Sequence, residues 1–174
     1  MAIAQMMYFH QDDLDWLILA NRTWKEVMMA PIGDHVNYVW RQLLWVEWEM
    51  FGFNFAPYFL VSMTLHVIVT WLLYRIAQMI SGSKKWGMVA SMLFVVNTNW
   101  TETVLWMSGQ TITVTALLVL AAIYARAKGR GELLTLWLAS WTSALSIGTL
   151  GARMLLDGVD WGKRKLTKLG WGIG

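Results

Sequence analysis

The stretch FHQDDLDWL, residues 9–17, places a histidine and three carboxylates close together in an otherwise apolar chain. Its ionisable residues are His10, Asp12, Asp13 and Asp15. Hard divalent cations take carboxylate oxygens as ligands, and a carboxylate can also act as a general base. The same residues would equally form the water-facing rim of a membrane protein and cap a following helix. Both interpretations are open at this point.

The chain around this stretch has the composition of a membrane protein. Its 174 residues are 57% hydrophobic and only 14% charged, whereas soluble domains carry about 25% charged residues. Thirteen tryptophans suit the membrane–water interface. The absence of cysteine from the sequence excludes disulfides and thiolate metal sites. We therefore expect an all-α, polytopic integral membrane protein, with no nucleic-acid partner.

Four apolar stretches predict about four transmembrane or re-entrant helices within a domain that covers residues 57–156. A helix needs about 20 apolar residues to cross the hydrocarbon core of a bilayer. The predicted spans are 57–80, 86–97, 111–125 and 133–156, of which the first and last are long enough alone. Basic turns at 81–85 and 126–132 separate them, and a short surface helix is predicted within 98–110.

Residues 1–56 predict an acidic, aromatic-rich segment with one or two amphipathic helices, broken near Pro31 and Gly33. One apolar stripe of helical period includes Val36, Val39, Trp40, Leu43, Leu44 and Phe51, and the pattern places Arg41, Glu47 and Glu49 off it.

Charge predicts the orientation of the chain. Residues 1–56 hold seven acidic and three basic residues, and residues 57–174 hold four acidic and eleven basic. Because basic residues stay on the cytoplasmic side, we expect the first segment on the outer, periplasmic side of a bacterial inner membrane. Four alternating spans would then place the basic tail, residues 157–174, outside as well, against the same rule.

Several motifs occur in the order known from one enzyme family. LFVVNTNWTETVLWMSG at 93–109 is similar to LFxxHPxxxExVxWxSGRxD, and GFNFAPYFLVSMTLH at 52–66 is similar to GxNPxxYHLxNxxLH. WRQL at 40–43 corresponds to a YRPL segment, and FHQDDLDWL to an acidic first outer loop. On these motifs the chain resembles the C-type (GT-C) membrane glycosyltransferases that use lipid-linked sugars. Within them it is most similar to tetratricopeptide-containing O-mannosyltransferase-like proteins.

The chain also departs from this pattern. Asn97 and Thr98 replace the His-Pro pair, Gln110 replaces the arginine, and Ile112 replaces the final aspartate. LSIG at 145–148 replaces a charged LSKE-like stretch. The family's first span and the later half of a typical enzyme have no counterpart in the sequence. We therefore expect a shortened, degenerate relative.

The resemblance implies roles for individual residues. It implies that Asp12 and Asp13 ligate a metal or supply the base, and that Arg41 contacts the phosphate of the leaving group. Glu102 would be either a remnant substrate contact or an outer-face structural hydrogen bond. His66 lies inside the first predicted span, where ionisable residues are costly. We expect a helix-packing hydrogen bond there, with ligation of a metal-centred cofactor such as a haem as the alternative.

These departures favour a non-catalytic accessory or structural subunit of a larger membrane complex. Its partners would be membrane lipids and other integral membrane subunits. The alternative is a glycosyltransferase, or part of one, that transfers a sugar from a polyprenyl-phosphate donor on the outer face. In that case Asp12, Asp13 and Glu102 would be catalytic, and a divalent metal would be the cofactor.

Overall fold

The computed structural model of the protein describes residues 11–30, 37–97, 100–129 and 133–142. Within these ranges all regular secondary structure is α-helical, which confirms the all-α prediction. The helices are α1 Gln11–Ala20, α2 Trp24–Met29, α3 Tyr38–Phe51, α4 Phe55–Ser81, α5 Lys84–Val95, α6 Trp100–Leu105, α7 Gln110–Ala127 and α8 Leu133–Ser140.

Two of these helices, α4 and α7, are long and apolar enough to cross a membrane. They contain 27 and 18 residues, and only 22% of the most apolar window of each is buried within the protein. A core helix of a soluble protein would be mostly buried, so this exposure supports a membrane location. The predicted spans at 57–80 and 111–125 therefore correspond to real helices of suitable length.

The two other predicted spans are shorter as helices. α5 has 12 residues and the described part of α8 has eight, which correspond to about 18 Å and 12 Å. Neither length reaches the roughly 30 Å of a hydrocarbon core. The described residues thus contain two helices of spanning length, and the prediction of about four spans stays a prediction.

The structure describes only the first ten residues, 133–142, of the predicted span 133–156. α8 ends at Ser140, and Trp141 and Thr142 form a turn. Their backbone N–H groups donate to the carbonyls of Leu138 and Ala139, three residues back, and such bonds tighten the last turn of a helix. Residues 143–156 and the predicted basic tail, 157–174, lie outside the described residues.

α4 is the central helix of the fold, and it packs against α5, α6 and α7. The first two turns of α4 meet the first residue of α7, and Trp71 of α4 contacts Tyr124 near the far end of α7. The two helices therefore run parallel. The chain between them, residues 82–109, must return to the end where α4 began.

The three N-terminal helices form a layer at the N-terminal ends of α4 and α7. α3 packs against α1 and α2 and also contacts α4 and α7. The main apolar core lies between this layer and the starts of α4 and α7, and it includes Leu17, Ala20, Trp40, Leu44, Tyr58, Met107 and Val114. This layer matches the amphipathic N-terminal segment expected from the sequence, with three helices instead of one or two.

The sequence-based placement of two charged residues on α3 is wrong. Arg41 and Glu47 are 3% and 2% exposed, although the pattern placed both off the buried stripe. α3 is covered on one side by α1 and α2 and on another by α4 and α7, so more than one stripe of the helix is buried. Glu49 is exposed, as predicted.

Candidate functional site

A buried polar cluster joins the start of α7 to α3 and α4. At its centre the side chain of Gln110 is fully buried. Its amide nitrogen lies 3.2 Å from Glu47 Oε1, 3.1 Å from Ser62 Oγ and 3.2 Å from the Tyr58 carbonyl oxygen. Trp40 Nε1 donates to the Gln110 amide oxygen at 3.2 Å. We call these five residues the Gln110 cluster.

The orientation of the Gln110 amide follows from its neighbours. An indole N–H can only donate, so the amide oxygen must face Trp40. The amide nitrogen then faces three acceptors, of which Ser62 also donates to the Tyr58 carbonyl at 3.1 Å. The amide uses both its acceptor and its donors on elements that lie 48 to 70 residues away in sequence. These hydrogen bonds fix the positions of α3, α4 and α7 relative to one another.

Glu47 is the unusual residue of the cluster. Its Oε1 accepts from Gln110, whereas its Oε2 is buried and has no hydrogen-bond partner among the described residues. Burial raises the pKa of Glu47 to about 8, against a counteracting hydrogen bond from Gln110. Because a buried carboxylate without a cation is costly, the carboxyl group holds its proton at neutral pH. Its chemistry is that of a neutral acid that can release a proton.

Tyr58 links the Gln110 cluster to the turn between α3 and α4. Its hydroxyl donates to the carbonyl of Gly52 at 2.9 Å, in the turn between α3 and α4. Its ring packs edge-to-face on Phe51, with centroids 5.7 Å apart. The turn that joins α3 to α4 is thereby tied to the helix that carries Ser62.

The aspartates of FHQDDLDWL fall on different faces of α1. Asp12 and Asp15 are exposed, and Asp13 is fully buried. Asp13 Oδ1 accepts a hydrogen bond from the backbone N–H of Ser108 at 2.8 Å. Within the ranges that the structure describes, no group of three or more histidine and carboxylate side chains is placed to hold a metal ion. The metal or base role predicted for Asp12 and Asp13 stays a prediction.

Arg41 faces the C-terminal end of α2. Its Nη1 lies 2.8 Å from the Ala30 carbonyl and 3.4 Å from that of Val27. Its guanidinium carbon lies 5.7 Å from the Trp16 ring centre and 5.4 Å from that of Tyr38. A cation at the end of a helix is stabilised by the exposed carbonyls. Burial lowers the pKa of Arg41, but a guanidinium remains charged.

The two other predicted site residues lie apart from the Gln110 cluster. His66 is near the middle of α4, and its ring stacks on Phe94 of α5 with centroids 4.9 Å apart. Glu102 lies in α6. The structure does bring together Asp13 and Ser108, which come from two separate motifs of the resemblance, but it leaves Asp12, Arg41 and His66 in different surroundings.

Sequence reasoning missed the two central residues of the cluster. Gln110 was noted only as a departure from a family pattern, and Glu47 was placed off the apolar stripe of α3. A signal for Glu47 was present, because Trp40, Leu44, Glu47 and Phe51 follow one another at helical spacing. A carboxylate within an apolar stripe indicates a buried acid. No local signal identified Gln110, whose partners are distant in sequence.

Comparisons with known proteins add no family to this picture. No family model, curated protein or solved structure matches the chain. The resemblance to GT-C glycosyltransferases therefore stays a prediction from its motifs.

Proposed function

We propose that this protein is a non-catalytic integral membrane subunit that docks against another membrane protein, and that it is built on a degenerate glycosyltransferase-like framework. The observation that carries the proposal concerns α5, which leads back from the end of α4 toward the start of α7. This helix ends after only 12 residues. In a bilayer every backbone polar group must be bonded within the protein. A break in a spanning segment therefore needs a protein neighbour.

The helix α5 ends beside the middle of α4. Phe94 stacks on His66, the twelfth of the 27 residues of α4. α5 ends one residue later, at Val95, and α6 begins at Trp100. Val96 is non-helical and 70% exposed. The Val96 N–H donates to the Met92 carbonyl at 2.9 Å. The last carbonyls of a helix have no partner within the helix, so if α4 spans, those at the end of α5 lie at the depth of the hydrocarbon, where lipid cannot bond them.

The outer surface of α5 also supports docking. Gly87 is the one buried residue of this helix. Its exposed large side chains are Trp86, Met88, Val89, Met92, Leu93 and Val95. A wide apolar surface rich in methionine can repack against a partner. Together with the end of α5 at Val96, this surface forms a face that a partner helix would cover.

Cross-linking tests the proposal. A photoreactive residue at Val96 should cross-link to another integral membrane protein, and that protein should co-purify at a fixed molar ratio in mild detergent. The same residue at Glu49, exposed on α3, is the control and should give no such product. Purification as a lone monomer whose Val96 probe reacts only with lipid would contradict the proposal.

One observation favours the alternative, a transferase for polyprenyl-phosphate sugars. The hydrogen bond from Ser108 to Asp13 joins the two motifs that the resemblance assigns to one site. Asp12 is next to Asp13 and exposed, so Asp12→Asn should keep the fold. Under this alternative the variant loses sugar transfer, and Asp15→Asn, also exposed, retains it. Absence of transfer by the wild-type protein in purified, lipid-reconstituted form would remove the alternative.

A further inference from the structure

A pair of cations and a pair of aromatic rings bridge α4 and α7 toward their C-terminal ends. The guanidinium carbon of Arg75 lies 6.0 Å from the ring centre of Trp71. Lys128 Nζ lies 5.9 Å from the ring centre of Tyr124. The two rings lie 6.1 Å apart, centre to centre, across the helix pair. Each ring therefore holds one cation by a cation–π contact.

These residues lie at the depth expected for a membrane boundary. Arg75 follows Phe55 by twenty residues along α4, and that length corresponds to about 30 Å of helix. Lys128 directly follows the 18 residues of α7, which correspond to about 27 Å. Both distances approach the thickness of the hydrocarbon core. Trp and Tyr side chains favour this same level.

The positive charge at this end is not neutralised by described acids. Glu102 is the one acidic residue that the structure describes between Phe55 and Thr142. Lys84 and Lys85 add further exposed cations at the start of α5, beside the end of α4. Arg75 Nε is buried and has no hydrogen-bond partner among the described residues. Arg75 and Lys128 thus offer N–H donors to an anion at this end of the helix pair.

An apolar stripe leads along α4 to the cation. Val67 and Trp71 precede Arg75 at intervals of four residues, so the three share one helix face. Val67 is 61% exposed and Trp71 is 50% exposed. An acyl chain would lie along this stripe while its headgroup reached Arg75. A free phosphate ion would make no favourable contact with this apolar stripe.

We propose that this surface binds an anionic phospholipid, with Arg75 and Lys128 contacting the headgroup phosphate and the Val67–Trp71 stripe contacting an acyl chain. A guanidinium presents paired N–H donors to phosphate oxygens, and an ammonium adds a point charge. Basic clusters beside spanning helices attract anionic lipids. The proposal requires a membrane location but no partner protein, so it can fail without affecting the docking proposal.

Lipid retention tests the site. The purified protein in mild detergent is mixed with phosphatidylglycerol or phosphatidylcholine, and bound lipid is measured by native mass spectrometry. Retention of phosphatidylglycerol should exceed that of phosphatidylcholine and should fall about five-fold for each cation removed in Arg75→Gln and Lys128→Gln. The control variants are Arg22→Gln and Lys25→Gln, whose residues are exposed and lie about 50 residues before Arg75 in the sequence. These variants should retain the lipid as the wild type does.

Three outcomes would overturn the proposal. They are equal retention of the two lipids, wild-type retention by the Arg75/Lys128 double variant, and displacement of the lipid by inorganic phosphate. Lys128 is exposed, so Lys128→Gln alone tests the site even if Arg75→Gln does not fold. Arg75→Lys, which keeps the charge, should recover most of the retention.

Discussion

At the scale of single residues, Glu47 links the stability of the fold to pH. Its pKa of about 8 in the folded protein lies above the ordinary value of 4.5. The folded state therefore binds a proton that the unfolded state releases between these values. The stabilisation by this group is complete below about pH 4.5 and is lost as pH rises through about 8.

We expect Glu47→Gln to remove most of this dependence. A glutamine keeps the shape and stays neutral, so nothing ionises inside the cluster. The thermal midpoint of the wild-type protein in detergent, followed by tryptophan fluorescence, should fall from about pH 5 to about pH 9 more steeply than that of the variant. Glu49→Gln, an exposed change on the same helix, should follow the wild type. Parallel curves for the wild type and Glu47→Gln would show that Glu47 does not titrate in this range.

Gln110 has a larger structural role than any residue that the motifs selected. Gln110→Leu would leave the Trp40 N–H and the Glu47 carboxyl without their hydrogen bonds in a buried site. Each buried group left unsatisfied costs about 1–3 kcal/mol, so we expect a loss of about 3 kcal/mol in the free energy of unfolding. Denaturant titration in detergent measures it. Gln42→Leu, exposed on α3, is the matched control, and an equal loss there would contradict the cluster's role.

At the scale of elements, Gly109 permits α6 and α7 to meet. A Cβ at this position would lie 2.6 Å from Thr103 Cα and 2.9 Å from the Thr103 carbonyl oxygen. Both are backbone atoms, which cannot move aside as a flexible side chain can. The turn before α7 therefore depends on a glycine, and this turn also carries the N–H of Ser108 that binds Asp13.

Gly109→Ala should therefore displace α6 and lower stability by about 3 kcal/mol, in the range of overpacked sites. Gly82→Ala is an informative comparison. Gly82 has φ +67° with no atom within 4 Å of its Cβ position, so the alanine costs only the left-handed backbone conformation, about 1 kcal/mol. Thermal midpoints of the two variants test this order. A larger effect at Gly82 would contradict the close packing of Gly109 on Thr103.

The helices were predictable where local signals sufficed. The stretches 57–80 and 111–125 are long apolar runs, and α4 and α7 match them within two residues at each end. The turn after α4 was also predicted, since SGSKK contains the glycine that ends the helix in a left-handed conformation. The burial of Arg41 was not, because it depends on which helices cover α3, whereas the burial of Glu47 had a local signal in its spacing from Trp40 and Leu44. Hydrogen bonds across 48 to 70 residues leave no local pattern.

At the scale of the whole molecule, the parallel course of α4 and α7 determines which loops share a side. Both helices begin at the Gln110 cluster, and Trp71 meets Tyr124 toward their other ends. If both helices cross the bilayer, Asn54 lies on one side, and Lys85 and Ala127 lie on the other. The charge distribution predicts that the Asn54 side is the outer one, because the segment before it is acidic.

Cysteine labelling tests this arrangement directly, because the sequence contains no cysteine and the wild type is an unlabelled control. Asn54→Cys, Lys85→Cys and Ala127→Cys each place one thiol at an exposed residue near a helix end. A membrane-impermeant maleimide added to intact cells should label Asn54→Cys, whereas the other two should react only after the membrane is permeabilised. Labelling of all three in intact cells would contradict spanning by α4 and α7. Labelling of Lys85→Cys and Ala127→Cys, but not of Asn54→Cys, would preserve the parallel pair and reverse the orientation that the charges predict.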